Sequence, residues 1–291
     1  MGTSAQQPTT NRNLQSTLLI DRDETIMIDC GEGTQRQMRI IKIPPTKITR
    51  LLLTHLHADH IIGIAGLMRS LGANQYTKTL EIYGPRGTKQ IYKSLVEDIP
   101  GNPRIKVNIH EIKEGEVFTT KHLEVHAKKL NHSITCYGYS IKEKDKLKIN
   151  TSYLKKYGLT QHPILGTLQK GRDITWEGKK IKVKDATIPV LGKKVTIILD
   201  TIYCENAIKL AEDSTTLICE STYSIKDKVI AKEHNHMTAQ DAANIAKKSG
   251  SKKLILTHFS QRYKSTIELK KEAKKIFTNV TCAEDFMKIK I

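Results

Sequence analysis

The chain has 291 residues, enough to bury a substantial core as one large α/β domain or as two small ones. Its formal net charge of +18 attracts polyanions, which fits a nucleic-acid or anionic partner and equally the lysine-rich proteome of a thermophile. No stretch approaches the roughly 20 apolar residues of a membrane span, and the polar N-terminus lacks the apolar core of a secretory signal. The cysteines, Cys30, Cys136, Cys204, Cys219 and Cys282, are odd in number and form no Cys-x-x-Cys pair, which points to a reduced, cytoplasmic setting without a disulfide framework.

Residues 1–13, rich in Gly, Thr, Ser, Pro and Asn, read as loop. Leu18 to Ile20 and Thr25 to Asp29 predict two strands around a charged turn, the second ending in Asp29-Cys30-Gly31-Glu32-Gly33-Thr34. Such an acidic, glycine-bearing strand end could support a metal site, though by itself the run reads better as a plain tight turn. Gln35 to Ile43 predicts a helix stopped by Pro44-Pro45.

The apolar strand Ile48 to Leu53 then delivers the chain to Thr54-His55-Leu56-His57-Ala58-Asp59-His60, where three His and one Asp fall within six residues. These groups cannot share one face of a regular helix or strand. They suit a loop folded around more than one ion, and imidazole with carboxylate favours zinc while iron or manganese would also accept the set. Beyond it, Ile61 to Leu71 predicts a helix, Leu80 to Tyr83 a strand, and Gly84 to Gly87 a turn into a further helix ending at Leu95. Strands alternating with helices indicate an α/β fold.

Val107 to Ile112 and Phe118 to Leu130 are strand-rich, and His132 follows the second stretch at a strand end. A third imidazole from a separate strand is what a site with three protein ligands per ion requires. His110, His122, His126, His162 and His234 lack such placement and read as ordinary polar residues.

From Lys142 to Lys194 fourteen Lys or Arg face five Asp or Glu, with Tyr153, Tyr157 and Trp176 interleaved. This basic stretch predicts an insertion at about 142–194 into a single domain spanning 1–291. Its charge and rings suit phosphate contact and base stacking, and would equally form a solvated surface with packing aromatics. The strand Val195 to Leu199 ends on Asp200, Leu217 to Cys219 on Glu220, and Leu254 to Leu256 on Thr257-His258. Strand ends are where open α/β sheets place their sites. Thr238, with Asp241 at the capping-box distance, predicts a helix from Ala239 to Lys248, and Ile267 to Phe277 and Met287 to Ile291 predict a closing helix and strand.

The His-x-His-x-Asp-His run, with Asp29 before it and His132, Asp200 and His258 after it, resembles the metallo-β-lactamase superfamily. Within it, Gly2 to Ala5, Asp29 to Gln37, His55 to Gly66, Asn131-His132, Glu220 to Tyr223, His234 to Ala239 and Thr257 to Tyr263 resemble the ribonuclease Z family over nearly the whole chain. The resemblance implies a four-layer αβ/βα sandwich of the metallo-β-lactamase type with an inserted basic arm, two Zn2+ ions (Mn2+ or Fe2+ as substitutes), and hydrolysis of precursor tRNA by a homodimer. It implies one ion on His55, His57 and His132, the other on Asp59, His60 and His258, Asp200 bridging them, and Asp29 orienting the ligands. Asp59 is then the general base, and Glu220 with His236 passes a proton to the leaving oxygen. The chain departs from the family pattern in three places: Met1 directly precedes Gly2 where the family usually has a strand, so that strand is either missing or its start miscalled, Gln161 to Gly166 replaces a Gly-Pro-rich motif in the arm, and Leu199 replaces a glycine before Asp200.

Overall fold

The computed structural model describes residues 1–101 and 105–291. A first sheet holds five strands in the order β1 (Thr17–Asp21), β2 (Glu24–Ile28), β3 (Arg50–Leu52), β4 (Thr79–Gly84) and β5 (Lys106–Glu111). β1 and β2 form an antiparallel hairpin, and β2 to β5 run parallel. Next come β6 (Gly115–Thr119), β7 (Leu123–Leu130) and β8 (Cys136–Glu143), then the short strands β9 (Lys146–Ile149), β10 (Ile174–Trp176), β11 (Lys179–Ile181) and β12 (Thr187–Val190). β13 (Lys194–Ile198), β14 (Thr216–Glu220), β15 (Leu254–Thr257) and β16 (Val280–Cys282) complete a seven-stranded second sheet, ordered β16-β15-β14-β13-β8-β7-β6.

The two large sheets lie face to face. The Tyr139 hydroxyl on β8 donates to the Leu53 carbonyl beyond β3 at 2.7 Å, and the Tyr137 amide donates to Thr54 O at 2.9 Å. Helices cover the outer faces. On the first sheet, Ile64, Leu67, Met68 and Leu71 of helix Gly63–Ala73 recur at three- and four-residue spacing and are fully buried with Met38, Leu51 and Ile82. Each such Leu contributes about 1.5–3 kcal/mol by leaving water. On the second, helix Ala239–Lys248 buries Ala239, Ala242, Ala243 and Ala246, small side chains that let its backbone approach the sheet closely. The result is the four-layer sandwich that the family resemblance implied.

The chain divides into two compact units, one of 1–119, 125–141 and 194–291, the other of 120–124 and 142–193. The smaller unit has a core of its own, formed by Leu154, Leu159, Leu168, Ile174, Ile181 and Ala186. Tyr153, Tyr157 and Trp176 pack against that core half-buried, and the Trp176 indole N–H donates to Tyr157 O at 3.1 Å. These rings therefore serve packing, whereas Lys146, Lys148, Lys155, Lys179, Lys182 and Lys184 are exposed.

Three elements differ from expectation. The first helix ends at Ile40, ahead of the prolines, because Lys42 adopts φ 58° and the Ile43 amide folds back to Met38 O at 3.1 Å, a left-handed helix stop. The helix expected from Ile61 runs instead from Gly63 to Ala73, and a separate one-turn helix before it, Ala58–Ile61, carries Asp59 and His60. The closing strand is Val280–Cys282, not Met287 to Ile291: Val280–Cys282 occupies the place beside β15, and the tail beyond it is irregular.

Candidate metal centre

The site forms where strands of both sheets end. His55 follows β3, His132 follows β7, Asp200 follows β13, Glu220 closes β14 and His258 follows β15. Eleven non-glycine residues have positive φ among the described residues, and five of them border this site: Gln6 (56°), Asp29 (56°), Asp200 (47°), Asn235 (57°) and His258 (58°). A left-handed backbone is costly for such residues, so its concentration here marks a place where side-chain aim outranks backbone comfort. Gly31 and Gly63 allow the close approach: a Cβ on Gly63 would lie 2.0 Å from Gly31 O, so any side chain would push the β2 loop off the helix that carries Asp59 and His60.

Two sets of donor atoms converge. In the first, His57 Nδ1 lies 3.0 Å from His55 Nε2 and 3.2 Å from His132 Nε2, and Asp200 Oδ2 lies 3.6 and 3.9 Å from those two Nε2 atoms. In the second, His60 Nε2 lies 3.2 Å from His258 Nε2, 3.4 Å from Asp59 Oδ2 and 3.3 Å from Asp200 Oδ1. The edge of a tetrahedron around zinc with bonds of about 2.05 Å is about 3.3 Å, and both sets bracket that length.

Neighbours on the far side of each ring fix which nitrogen carries the proton. Asp29 Oδ2 accepts from His60 Nδ1 at 2.7 Å. Thr54 Oγ1 donates to Asp29 Oδ2 at 2.8 Å and so accepts from His55 Nδ1 at 3.0 Å. Thr222 Oγ1 donates to Glu220 Oε2 at 2.6 Å and so accepts from His258 Nδ1 at 3.1 Å. The Asn235 carbonyl accepts from His132 Nδ1 at 3.1 Å. With the protons on those sides, the Nε2 lone pairs of His55, His60, His132 and His258 face one another and the carboxylate between them. Asp200 Oδ1 is buried with no hydrogen-bond donor. Converging lone pairs around an orphaned carboxylate oxygen require a cation, so the residues fit divalent metal.

Charge follows the same geometry. Burial alone would raise the Asp59 and Asp200 carboxyls, but the surrounding imidazoles hold both well below the usual carboxylate range. Burial opposes the charged form of His60, yet Asp200 and Asp29 raise it well above its ordinary value, whereas burial and the neighbouring His60 lower His55. A proton and a metal ion compete for the same lone pairs.

Behind the metal-ligand types stands a second pair. Glu220 is fully buried and accepts from Thr201 N (2.7 Å), His236 Nδ1 (3.1 Å), Thr222 Oγ1 (2.6 Å) and Met237 N (3.1 Å). Burial disfavours charge on His236, but Glu220 outweighs it and raises the imidazole to about 9. His236 Nε2 turns the other way, 3.9 Å from Asp200 Oδ2 and into a cleft of about 240 Å3. Glu220 does not reach that cleft, whereas His57, Asp59, His132 and Asp200 do.

The expected site residues His55, His57, Asp59, His60, His132, Asp200, Glu220, His236 and His258 thus lie together, with Asp29 against His60 and Thr54. Sequence reasoning missed Gln6, Ser133, Glu233, His234 and Asn235, which line the cleft. His234 reads as an ordinary polar residue in the sequence, and its place two residues from His236 is the available signal. Asn235 carries no chemical signature, since its contribution is a main-chain carbonyl.

Comparison with known proteins agrees with this geometry. The metallo-β-lactamase superfamily model matches residues 10–140. Ribonuclease Z of Lactococcus lactis is 36% identical over 301 residues, covering 100% of this chain and 98% of that protein. The chain belongs to the ribonuclease Z family. Ribonuclease Z of Streptococcus pyogenes is 37% identical over 302 residues, covering 99% of this chain and 98% of the relative. Among solved structures, human tRNase Z, short form, superposes with a TM-score of 0.72 at 28% identity, covering 98% of this chain and 95% of that one. No helix among the described residues is long and apolar enough to cross a membrane.

Proposed function

We propose that this chain is a zinc-dependent endoribonuclease that removes the 3′ trailer from precursor tRNA. The observation that carries the reading is the placement of Asp200, whose two oxygens face separate sets of imidazole lone pairs at 3.3 to 3.9 Å, a donor arrangement for two ions sharing one carboxylate. His55, His57 and His132 would hold one zinc ion, and Asp59, His60 and His258 the other. When bound, the ions polarise a phosphoryl oxygen and bring the pKa of water toward neutrality.

The chain's own residues then divide the proton work. Asp59, kept ionised by His258 and His60, accepts a proton from the attacking water. His236, kept charged by Glu220, faces the cleft and gives a proton to the departing 3′ oxygen. Glu220 acts through His236, since all its partners are buried. Water adds to phosphorus as the P–O3′ bond breaks, leaving a 3′-hydroxyl on the tRNA and a 5′-phosphate on the trailer. The smaller unit supplies lysines for phosphate contact, a term that does not depend on sequence. Family likeness supports a homodimer, and five free cysteines fit a reducing cytoplasm.

The test is a cleavage assay on precursor tRNA with both new ends mapped, alongside sedimentation of the purified protein. A 3′-hydroxyl at the trailer junction is expected. A protein that hydrolyses only small phosphodiesters, or that binds tRNA without cutting it, would overturn the proposal.

A further inference from the structure

The loop between Thr3 and Arg12 lies against both halves of the metal centre. On one side the Ala5 amide donates to Phe259 O at 3.0 Å and the Phe259 amide donates to Thr3 O at 2.8 Å, stitching the loop to the residue after His258. The Arg12 guanidinium extends that seam, donating to Tyr263 O at 2.6 Å. On the other side the Gln6 amide donates to Asp59 Oδ2 at 2.9 Å, the oxygen that also lies 3.4 Å from His60 Nε2. Gln6 adopts φ 56° to make this contact, a conformation a glutamine holds only when its surroundings impose it.

What imposes it lies in the C-terminal tail. Asp285 Oδ1 accepts from Thr3 Oγ1 at 2.9 Å, and Oδ2 accepts from the Asn13 amide at 2.7 Å and from Gln37 Nε2 at 2.8 Å. Asn13 O in turn accepts from the Thr3 and Ser4 amides at 3.0 and 2.9 Å. One carboxylate thus pins both ends of the loop to the helix Thr34–Ile40, and Ser4 Oγ closes the turn onto Gln7 O at 2.6 Å. Asp59, half-buried on a first helical turn, has no other hydrogen-bonded main-chain contact through its carboxylate among the described residues.

We infer that this loop, clamped by Asp285, is a positioning element for Asp59: the Gln6 N–H holds the carboxylate oxygen in register with His60 and His258. Thr3 and Asp285 are positioning residues that act through Gln6 and touch no reacting atom. The inference rests on the proposed role of Asp59 at the metal centre.

The experiment compares Thr3→Val, Thr3→Ser and Asp285→Asn with the wild-type enzyme and with Asp59→Asn. Each is measured for kcat and KM on precursor tRNA and for zinc affinity by chelator competition on the metal-stripped protein. Thr3→Val, which keeps shape and loses the hydroxyl, and Asp285→Asn should each lower kcat by about tenfold with KM within about twofold of wild type. Zinc should bind about tenfold more weakly at the weaker site, as when a partner of a ligand is lost. Thr3→Ser, which restores the donor, should return both quantities to within about twofold of wild type. If Thr3→Val and Asp285→Asn keep kcat and zinc affinity within about twofold while only melting earlier, the loop is structural and the inference is overturned. Wild-type activity in Asp59→Asn would instead overturn the role of Asp59 itself.

Discussion

The two units of the chain use charge in opposite ways. In the larger one most ionisable groups of the centre are buried, with His57, Asp59 and His132 half-buried at the cleft, and Asp200 Oδ1 is left without a hydrogen-bond partner. In the smaller one most cations are exposed around a core of six buried residues, and salt bridges are few and open, such as Lys180 with Asp173 at 3.6 Å. Buried charge in a fixed array performs chemistry, because desolvated groups act strongly at one distance. Exposed lysines on a small scaffold suit capture, because their attraction to phosphate depends on number and salt rather than on angle.

That division can be broken from either side. The largest effect is expected from Asp59→Asn, which should reduce cleavage of precursor tRNA by about a hundredfold or more while leaving tRNA affinity nearly intact. Retained cleavage within about tenfold, in a steady-state assay paired with filter binding, would remove Asp59 from the chemistry. A smaller effect is expected from excising the core of the basic unit. The Asn150 amide donates to Ala186 O at 2.9 Å, so a short Gly-Ser linker replacing residues 151–185 closes the gap without straining the β9-β12 ribbon. This variant should bind precursor tRNA about ten- to a hundredfold more weakly with a flatter salt dependence, and should still hydrolyse a small activated phosphodiester. Equal loss of both activities in a protein with wild-type circular dichroism would mean that the unit shapes the active site. The smallest effect is expected from Lys146→Ala with Lys148→Ala, two exposed residues on one face of β9. Their joint loss should lower the slope of log affinity against log salt by about 2 and leave kcat unchanged. An unchanged slope would assign these lysines to solvent alone.

Much of this was legible in the sequence because it rests on local signals. Apolar runs ending on His, Asp or Glu located His55, His132, Asp200, Glu220 and His258 at strand ends, and the capping box placed the helix Ala239–Lys248, where Thr238 and Asp241 bond reciprocally. What the sequence hid depends on residues far apart. The proton placement on four imidazoles is set by Asp29, whose orienting role the family resemblance implied, and by Thr54, Thr222 and a carbonyl of Asn235, none of which announces that role. The left-handed turns at Asp29, Asp200 and His258 leave no compositional trace, since glycine is the residue that usually marks them. Tyr153, Tyr157 and Trp176 illustrate the converse: aromatic residues among lysines invite a base-stacking reading, and only the fold shows them packed on Leu154 and Leu168.

The central claim is that Asp200 joins two ions in one centre, and metal content tests it most directly. Elemental analysis of gently purified protein should give about two zinc ions per chain, and Asp200→Ala should hold fewer than about one and lose cleavage of precursor tRNA. A wild-type protein holding about one ion at full activity, or an Asp200→Ala variant that keeps about two, would contradict the account.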